Sequence, residues 1–595
     1  MCGLFGVAPF NTVHLEEARH SLNLLRHRGP DQYGEWYDRH AYLGHRRLSI
    51  LDLSDAGRQP MKNRDESIIL TINGEIYNYK QIRNDLAKRY EFQSRSDSEV
   101  ILHGYAEWGI DGILNRIDGM FAFSIYDRRK NALYLVRDRV GIKPLYYYLK
   151  DGQLMWSSEL KAIHHYAGYD KLIIDQSAMC DFYTYNYIPT PKTIYKDVFK
   201  LKPAHYLAVD LNTISCTEHE YWRLPTEEIP ISFDEAKENL KYLITKSVNE
   251  QMMSDVPVGF FLSGGLDSST VVAYASQLSN QLNAYTIGFN DPGSDETDFA
   301  VTVARTFNVL LQHKKLQYAD AEKLLTKVIS FYDEPFGDLS AIPTYCVSAF
   351  AREYATVALT GDGGDEIFGG YRWYRFADSR PASSSDTLKR FLSFFRSRFR
   401  YSLPGKLVNR IQFHYSLNLF EKMVRCQEAF IDIEKDDVKY ELGLPKDYED
   451  YWYYRDNYDL AIPPRKAIQK LDFNTYLPDD ILTKVDRASM AVSLEARVPL
   501  LSKEIIEFAF SLPENILYHN GELKGLLKAI LTDILPDSIV YRQKKGFSIP
   551  LQKWSKYGLF DKKTFQEFIA GDFFKRNSKA IGSSLPPVKT GVPIS

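Results

Sequence analysis

The run Val256-Pro257-Val258-Gly259-Phe260-Phe261-Leu262 leads directly into Ser263-Gly264-Gly265-Leu266-Asp267-Ser268-Ser269, and a helical run from Thr270 to Leu278 follows. Few folds accommodate an apolar strand, a glycine turn and a helix start in that order. The glycines let the backbone approach a ligand closely, and the first N–H groups of the helix point at phosphate oxygens. Strands alternate with helical patterns from about Phe233 to Leu551, which places this unit in an α/β domain with a mainly parallel sheet. Ser263, Ser268 and Ser269 add hydroxyl donors. Asp267 would repel a phosphate on its own and makes sense as a ligand for Mg²⁺ bridging the phosphates. The GxxxxGK[ST] pattern is absent, so this is not a Walker A loop.

A second turn, Thr360-Gly361-Asp362-Gly363-Gly364-Asp365-Glu366-Ile367-Phe368-Gly369-Gly370, follows a strand predicted over Thr356 to Leu359. Carboxylates and glycines packed this tightly point to metal and phosphate contact at the carboxyl ends of neighbouring strands. A calcium loop would need the 1-3-5 ligand spacing with a terminal Glu, and that spacing is missing. The SGGLDSS and GDGGDE turns together resemble the nucleotide site of ATP pyrophosphatases, which split ATP into AMP and pyrophosphate.

The first 207 residues read differently. Short strands such as Ser67–Ile72 and Gly119–Tyr126, separated by Gly, Asn and Asp turns, predict a sheet-rich α+β domain. Cys2 stands directly behind Met1. If Met1 is removed, one residue carries both a thiol, with a pKa of roughly 8.5, and an α-amine of roughly 7.7–8 that is matched to take its proton. Hydrolysis of an amide by a thiolate also needs donors for the oxyanion, and Asn73-Gly74 after the strand could supply a side-chain amide and a backbone N–H. Arg47 suits the α-carboxylate of glutamine, and Glu75 or Asp97 its α-ammonium.

These residues, with His27-Arg28-Gly29-Pro30-Asp31 and His45-Arg46-Arg47 among them, resemble the glutaminase domain of class II glutamine amidotransferases. That resemblance implies an αββα N-terminal-nucleophile hydrolase fold, with Cys2 as nucleophile and Asn73 and Gly74 as the oxyanion hole. Glutamine would be held by Arg47, Ile50, Asn73, Gly74, Glu75 and Asp97. End to end, with Lys484-Val485-Asp486-Arg487 and Leu494-Glu495-Ala496-Arg497-Val498-Pro499 added, the chain is similar to the glutamine-hydrolysing asparagine synthetase family. By that similarity ATP contacts Leu262, Ser263, Gly264, Gly265, Leu266, Asp267, Ser268, Ile287, Thr360 and Gly361. Mg²⁺ sits on Asp267 and Asp365, and Asp362 and Lys524 are catalytic. The implied substrates are glutamine, ATP and aspartate, and the implied assembly is a homodimer. Two departures bear on the acceptor. Asp362 stands where glutamate is expected, and the Thr-Thr-x-Arg element expected near Asp333–Thr344 is missing. Another carboxylate, such as a uronic acid or a natural-product acid, is therefore the alternative acceptor.

The domains are expected at 2–207 and 233–560, with a connector at 208–232 and a disordered tail at 577–595. At a net charge of −3, with 44% hydrophobic and 25% charged residues, the chain has no general pull toward nucleic acid or membranes. No apolar run reaches the roughly 20 residues of a membrane helix, and the start lacks a signal peptide's basic residues. Five scattered cysteines without a CxxC pair suit a reducing cytoplasm. The interleaved basic and aromatic residues of 389–400 are expected to form an amphipathic surface helix.

Overall fold

Ile68, Leu70 and Ile72 pack into one core while Ile69 packs into another, so the strand Ile68–Ile76 is apolar on both faces. A strand buried this way loses the usual polar alternation and must lie between two layers. In the computed structural model, which describes residues 2–168, 171–290, 295–378, 419–426, 432–543 and 562–577, this strand is part of the second of two stacked antiparallel sheets. The first runs Val198–Lys200, Tyr146–Lys150, Gln153–Ser157, Gly3–Ala8, Tyr42–Arg47, Gln32–Tyr37. The second runs Ser215–Glu220, His205–Asp210, Ala132–Arg137, Gly119–Asp127, Ile68–Ile76, Met61–Lys62.

Leu4, Leu43, Leu154 and Trp156 meet Ile69, Ala122, Leu133 and Leu207 between the sheets. Helices Leu15–Asn23 and Leu160–Ala167 cover the outer face of the first sheet through Ala18, Leu22 and Ile163. Helices Tyr79–Leu86 and Glu99–Leu114 cover the second through Ile82, Val100 and Ile113. The four layers are the αββα sandwich. The edge strand Ser215–Glu220 lies inside the stretch read from sequence as a connector. Its residues, Ser-Cys-Thr-Glu-His-Glu, are mostly exposed and carry no apolar alternation to announce a strand.

A capping box between Ser232 and Glu235 opens helix Phe233–Gln251 and the second half of the chain. Here five parallel strands run Leu310–Leu316, Asn283–Phe289, Val258–Phe261, Val357–Leu359, Glu495–Arg497. From Val258–Phe261 the chain builds outward on one side and then returns to add Val357–Leu359 on the other. Strand order therefore reverses between these two, and ligands bind outside the carboxyl ends of strands at such a point. The SGGLDSS turn leaves one of them and the GDGGDE turn leaves the other. The helix after SGGLDSS spans Leu266–Ser276 and starts earlier than the sequence suggests, because extended Gly265 caps it. Asp267 and Ser268 thus sit in its first turn. The segment 389–400 and the tail beyond Asn577 lie outside the described residues.

The halves meet through buried polar contacts. Arg28 donates to both oxygens of Asp486 at 2.8 and 3.0 Å, and Thr190 Oγ1 donates to Asp479 at 2.6 Å. In the central strand of the first sheet, a Cβ on Gly6 would overlap the Trp156 indole, which is itself fully buried. Gly6→Ala is therefore expected to destabilise the sandwich by about 1–3 kcal/mol through overpacking. Urea unfolding followed by tryptophan fluorescence checks this.

Candidate active sites

Cys2 enters the central strand of the first sheet and is 6% exposed. Its backbone N–H donates to Asn73 Oδ1 at 2.8 Å, which turns the Asn73 amide so that Nδ2 faces away from the backbone of Cys2. That Nδ2 is buried and has no hydrogen-bond partner. A buried donor without a partner is costly, and it is what an oxyanion site needs before its ligand arrives. Gly74 follows, and a Cβ there would strike the Met120 carbonyl.

Burial pushes the Cys2 thiol above its ordinary value, while the Leu48 N–H and the Arg47 charge pull it down. Arg47 is itself locked in place. Nη1 donates to Gln32 Oε1 at 2.9 Å and Ser54 O at 3.2 Å, and Nη2 to the carbonyls of Leu51 at 2.9 Å and Asp52 at 2.7 Å. Its terminal nitrogens are thus already taken, unlike the open fork expected from sequence. Ile50 is buried, and its carbonyl accepts the Asp255 N–H at 2.9 Å.

Glu75 and Asp97 are both buried, and each carboxyl is pushed up. Burial is the first cause for both, and for Glu75 the Asp97 charge is the second. Two crowded carboxylates of this kind favour a cation between them. The Arg497 guanidinium stands 3.7 Å from Glu75. The structure therefore brings Cys2, Asn73, Gly74, Glu75 and Asp97 to one end of the sandwich.

In the second half, a cavity of about 790 Å³ opens at the reversal of strand order. Leu262, Ser263, Gly265, Leu266, Asp267, Ser268, Thr360, Gly361, Asp362, Asp365 and Lys524 all line it. Gly264 shapes the turn instead. Its φ is +71°, and a Cβ would press on Phe299 and Ala300. Ile287, expected at ATP, packs into the hydrophobic core, and Tyr285 and Thr286 of the same strand line the cavity in its place.

The two turns interleave, since a Cβ on Gly361 or Gly364 would collide with Ser268 N or Asp267. This closeness puts Asp267 and Asp365 on either side of Lys524, whose ammonium is 2.5 Å from Asp267 and 2.6 Å from Asp365. Burial opposes the charge on Lys524, and the two carboxylates more than offset it, holding the ammonium above its ordinary range. Lys524 adopts the left-handed conformation at φ 56°, a strained backbone for a long side chain.

Asp362 is pushed up by burial against the pull of Lys484, whose ammonium is 3.2 Å from Asp338. Glu366 of the acidic turn also lines the cavity, as do Asp338, Tyr371, Arg372 and Arg375, to which the sequence reading assigns no individual role. Only the spacing of the two arginines, three apart just beyond the glycine turn, could have pointed to them. Among the described residues no group of three or more His, Cys, Asp or Glu side chains could hold a metal ion. Asp267 and Asp365 offer two carboxylates, which fits Mg²⁺ completed by phosphate oxygens and water.

A thiol set beside an orphaned amide in one half, and a nucleotide-sized cavity at a strand reversal in the other, are the two parts an ATP-dependent amidotransferase needs, and the comparisons with known proteins place the chain in that class. Residues 1–222 match the glutamine amidotransferase domain model and residues 239–567 the asparagine synthase model. Asparagine synthetase [glutamine-hydrolyzing] 1 of Bacillus subtilis (strain 168) is 34% identical, covering 93% of this chain and 88% of that one. Asparagine synthetase [glutamine-hydrolyzing] 3 of the same organism is 28% identical over 92% and 87%. Amidase chry2 of Gibberella zeae is also 28% identical, over 91% and 86%. The chain belongs to the asparagine synthase family.

With Met1 still attached, burial raises the Cys2 thiol, and the charge of the amino terminus, the Leu48 N–H and the Arg47 charge lower it. Alkylation of this thiol in the Met1-bearing protein is therefore expected to speed up as pH rises, with its midpoint above the ordinary thiol value, and labelling with iodoacetamide followed by mass spectrometry tests this. Arg47→Gln, which removes one of the charges that lower the thiol, is expected to move the midpoint further up.

Proposed function

We propose that the protein hydrolyses glutamine at Cys2 and uses the ammonia to amidate an adenylated carboxylate, with aspartate as the acceptor and asparagine, AMP and pyrophosphate as products. The observation that carries the first half is the buried, unpartnered Nδ2 of Asn73 beside Cys2. Once Met1 is removed, the nitrogen held by Asn73 is the α-amine, positioned to take the thiol proton. The Cys2 sulfur adds to the amide carbon of glutamine. The resulting oxyanion is met by Asn73 Nδ2 and Gly74 N–H, the Cys2 α-ammonium passes its proton to the amide nitrogen, and the C–N bond breaks to release NH₃ and leave a thioester. Water then hydrolyses the thioester to glutamate. Glu75 and Asp97 take the substrate's ammonium, and Arg47 contributes its charge and its Nε.

In the second site an acceptor carboxylate oxygen attacks the α-phosphorus of ATP, and pyrophosphate leaves. The Ser263–Ser268 turn lays its N–H groups and hydroxyls against the phosphates. Lys524 sits where negative charge builds as the phosphorus becomes pentavalent. Asp267 and Asp365 would hold Mg²⁺, which supplies charge neutralisation on the phosphates. NH₃ then attacks the acyl carbon, AMP departs, and Asp362 accepts the proton that the new amide sheds. Burial raises its carboxyl, which makes it a better proton acceptor than an exposed aspartate.

Aspartate as acceptor is supported by the relatives' names over nearly the full chain. A second reading, with a different carboxylate, is favoured by Gly337-Asp338-Leu339-Ser340. These residues place a carboxylate, and no arginine, at the stretch where the Thr-Thr-x-Arg element was expected.

Cys2→Ala is expected to abolish synthesis with glutamine and to preserve it with added ammonium. Loss of both in a folded protein would speak against separate sites. Asp267→Ala is expected to lower AMP and pyrophosphate formation by about 100-fold or more while glutamine hydrolysis persists. Release of pyrophosphate at the wild-type rate would remove Asp267 from its proposed role.

A further inference from the structure

We propose that Arg372 and Arg375 form an anion clamp that selects the acceptor, binding a second negatively charged group distinct from the carboxylate that is adenylated. The proposal rests on reading the cavity as the adenylation site, and it narrows the acceptor to acids that carry two anionic groups.

Charge matching inside the cavity leads to this pair. Lys524 lies between Asp267 and Asp365, Lys484 is 3.2 Å from Asp338, Lys528 is 2.6 Å from Glu522, and Arg542 is 2.7 Å from Glu296. Arg372 and Arg375 line the same cavity, and among the described residues neither makes an ion pair. They share the 3₁₀ helix Arg372–Asp378, in which side chains three apart eclipse one another. Both guanidinium groups therefore leave the helix on one side.

The remaining residues of the helix fix that side toward the cavity. Tyr374 is wholly buried, and Trp373 Nε1 donates to Asp472 at 2.7 Å. The Trp373 ring stacks on Tyr371 at 4.1 Å and 11°, and Tyr371 OH donates to Glu366 at 2.6 Å. Anchored so, the helix cannot rotate to carry its arginines elsewhere.

Its position favours the acceptor over the nucleotide. The helix follows directly from the turn that bears Asp362, whereas the phosphate-binding features, the Ser263–Ser268 turn and Lys524, already carry their own donors. Guanidinium pairs match carboxylates and phosphates bidentately. Both arginines are exposed, so the group they hold lies at the mouth of the cavity. They supply the cations that the missing Thr-Thr-x-Arg element would otherwise have brought. A dicarboxylic amino acid or a phosphate-linked acid meets this requirement, and a simple monocarboxylate does not.

The test uses the full-length protein with ATP, Mg²⁺ and ammonium as nitrogen source, and follows AMP release with three acceptors. These are L-aspartate, a nucleoside-diphosphate-linked uronate, and a methyl uronoside with one carboxylate. At least one of the two dianionic acceptors is expected to turn over, with kcat/KM at least about tenfold above the uronoside. Arg372→Gln combined with Arg375→Gln is expected to raise KM for that acceptor by about tenfold or more with KM for ATP unmoved. Glutamine hydrolysis at the other site reports an intact fold in the same sample. Equal use of all three acceptors, or a rise in KM for ATP in place of the acceptor, overturns the clamp and leaves the amidation reading standing. AMP from none of them, in protein that still hydrolyses glutamine, overturns both.

Discussion

The guanidinium of Arg28 is wholly buried between the two halves of the chain, and its bonds decide how those halves sit. It donates to Glu159 of the amidotransferase half at 2.9 Å and, through both terminal nitrogens, to Asp486 of the synthase half. Glu159 in turn holds Arg487 at 2.9 Å and Lys161 at 2.7 Å, and Lys161 reaches Asp333 at 3.2 Å. Taking such charges from water costs several kcal/mol each, so the array is stable only when every member has its partner. Displacing one half by an ångström or two would strand a buried charge, at a cost of about 3–5 kcal/mol. An apolar interface of equal area would tolerate sliding far better. The charged interface gains orientation, and the separation of the two sites is set by it.

The same logic runs through the strand Glu495–Arg497. It is the edge of the parallel sheet, paired with Val357–Leu359, and its Arg497 carbonyl accepts the N–H of Thr360 at 2.8 Å. Thr360 opens the turn that carries Asp362 and Asp365. From the same residue the guanidinium bonds to Glu495 at 2.7 Å, donates to the carbonyls of Gln251 and Met253, and stands 3.7 Å from Glu75. One arginine therefore touches the carboxylate proposed to hold glutamine and the backbone that positions the proposed proton acceptor. Glu495 and Arg497, two apart in the chain, form a local ion pair, but the reach of Arg497 into the other half depends on tertiary placement that spacing does not reveal.

How much was legible follows from what each residue's role depends on. SGGLDSS and GDGGDE were readable because their work is local: glycines for close approach, and hydroxyls and carboxylates for phosphate and metal. The helix start was misjudged by four residues because serine and aspartate look like loop formers until the extended Gly265 is seen to cap them. Cys2 and Asn73 lie 71 residues apart and were joined by what an oxyanion needs and by resemblance, neither of which shows that the Cys2 N–H bonds directly to the Asn73 amide oxygen. The taken fork of Arg47 was not legible, since its partners are backbone carbonyls that any residue carries. Arg372 and Arg375 escaped notice for the opposite reason. Arginine on the exposed side of a short helix is ordinary, and their interest arises only when the other cations of the cavity are seen to be matched.

Both sites hold their charges in arrangements that substrate would complete. Glu75 and Asp97 crowd one another out of water, Asn73 Nδ2 has no acceptor, and strained Lys524 stands between two carboxylates in the place where phosphate and metal would enter. Each feature lowers the stability of the empty protein, and large sandwich and sheet cores such as those around Trp156 and Val272 offset that loss. A glutamine ammonium between the carboxylates, an oxyanion on the amide and a phosphate against Lys524 would relieve them in turn. Ligands that bind the folded state alone add RT ln(1 + [L]/Kd) to its stability. The pockets are thus fully balanced only when both are filled, and that condition is the one in which ammonia leaving the first site finds an activated acid in the second.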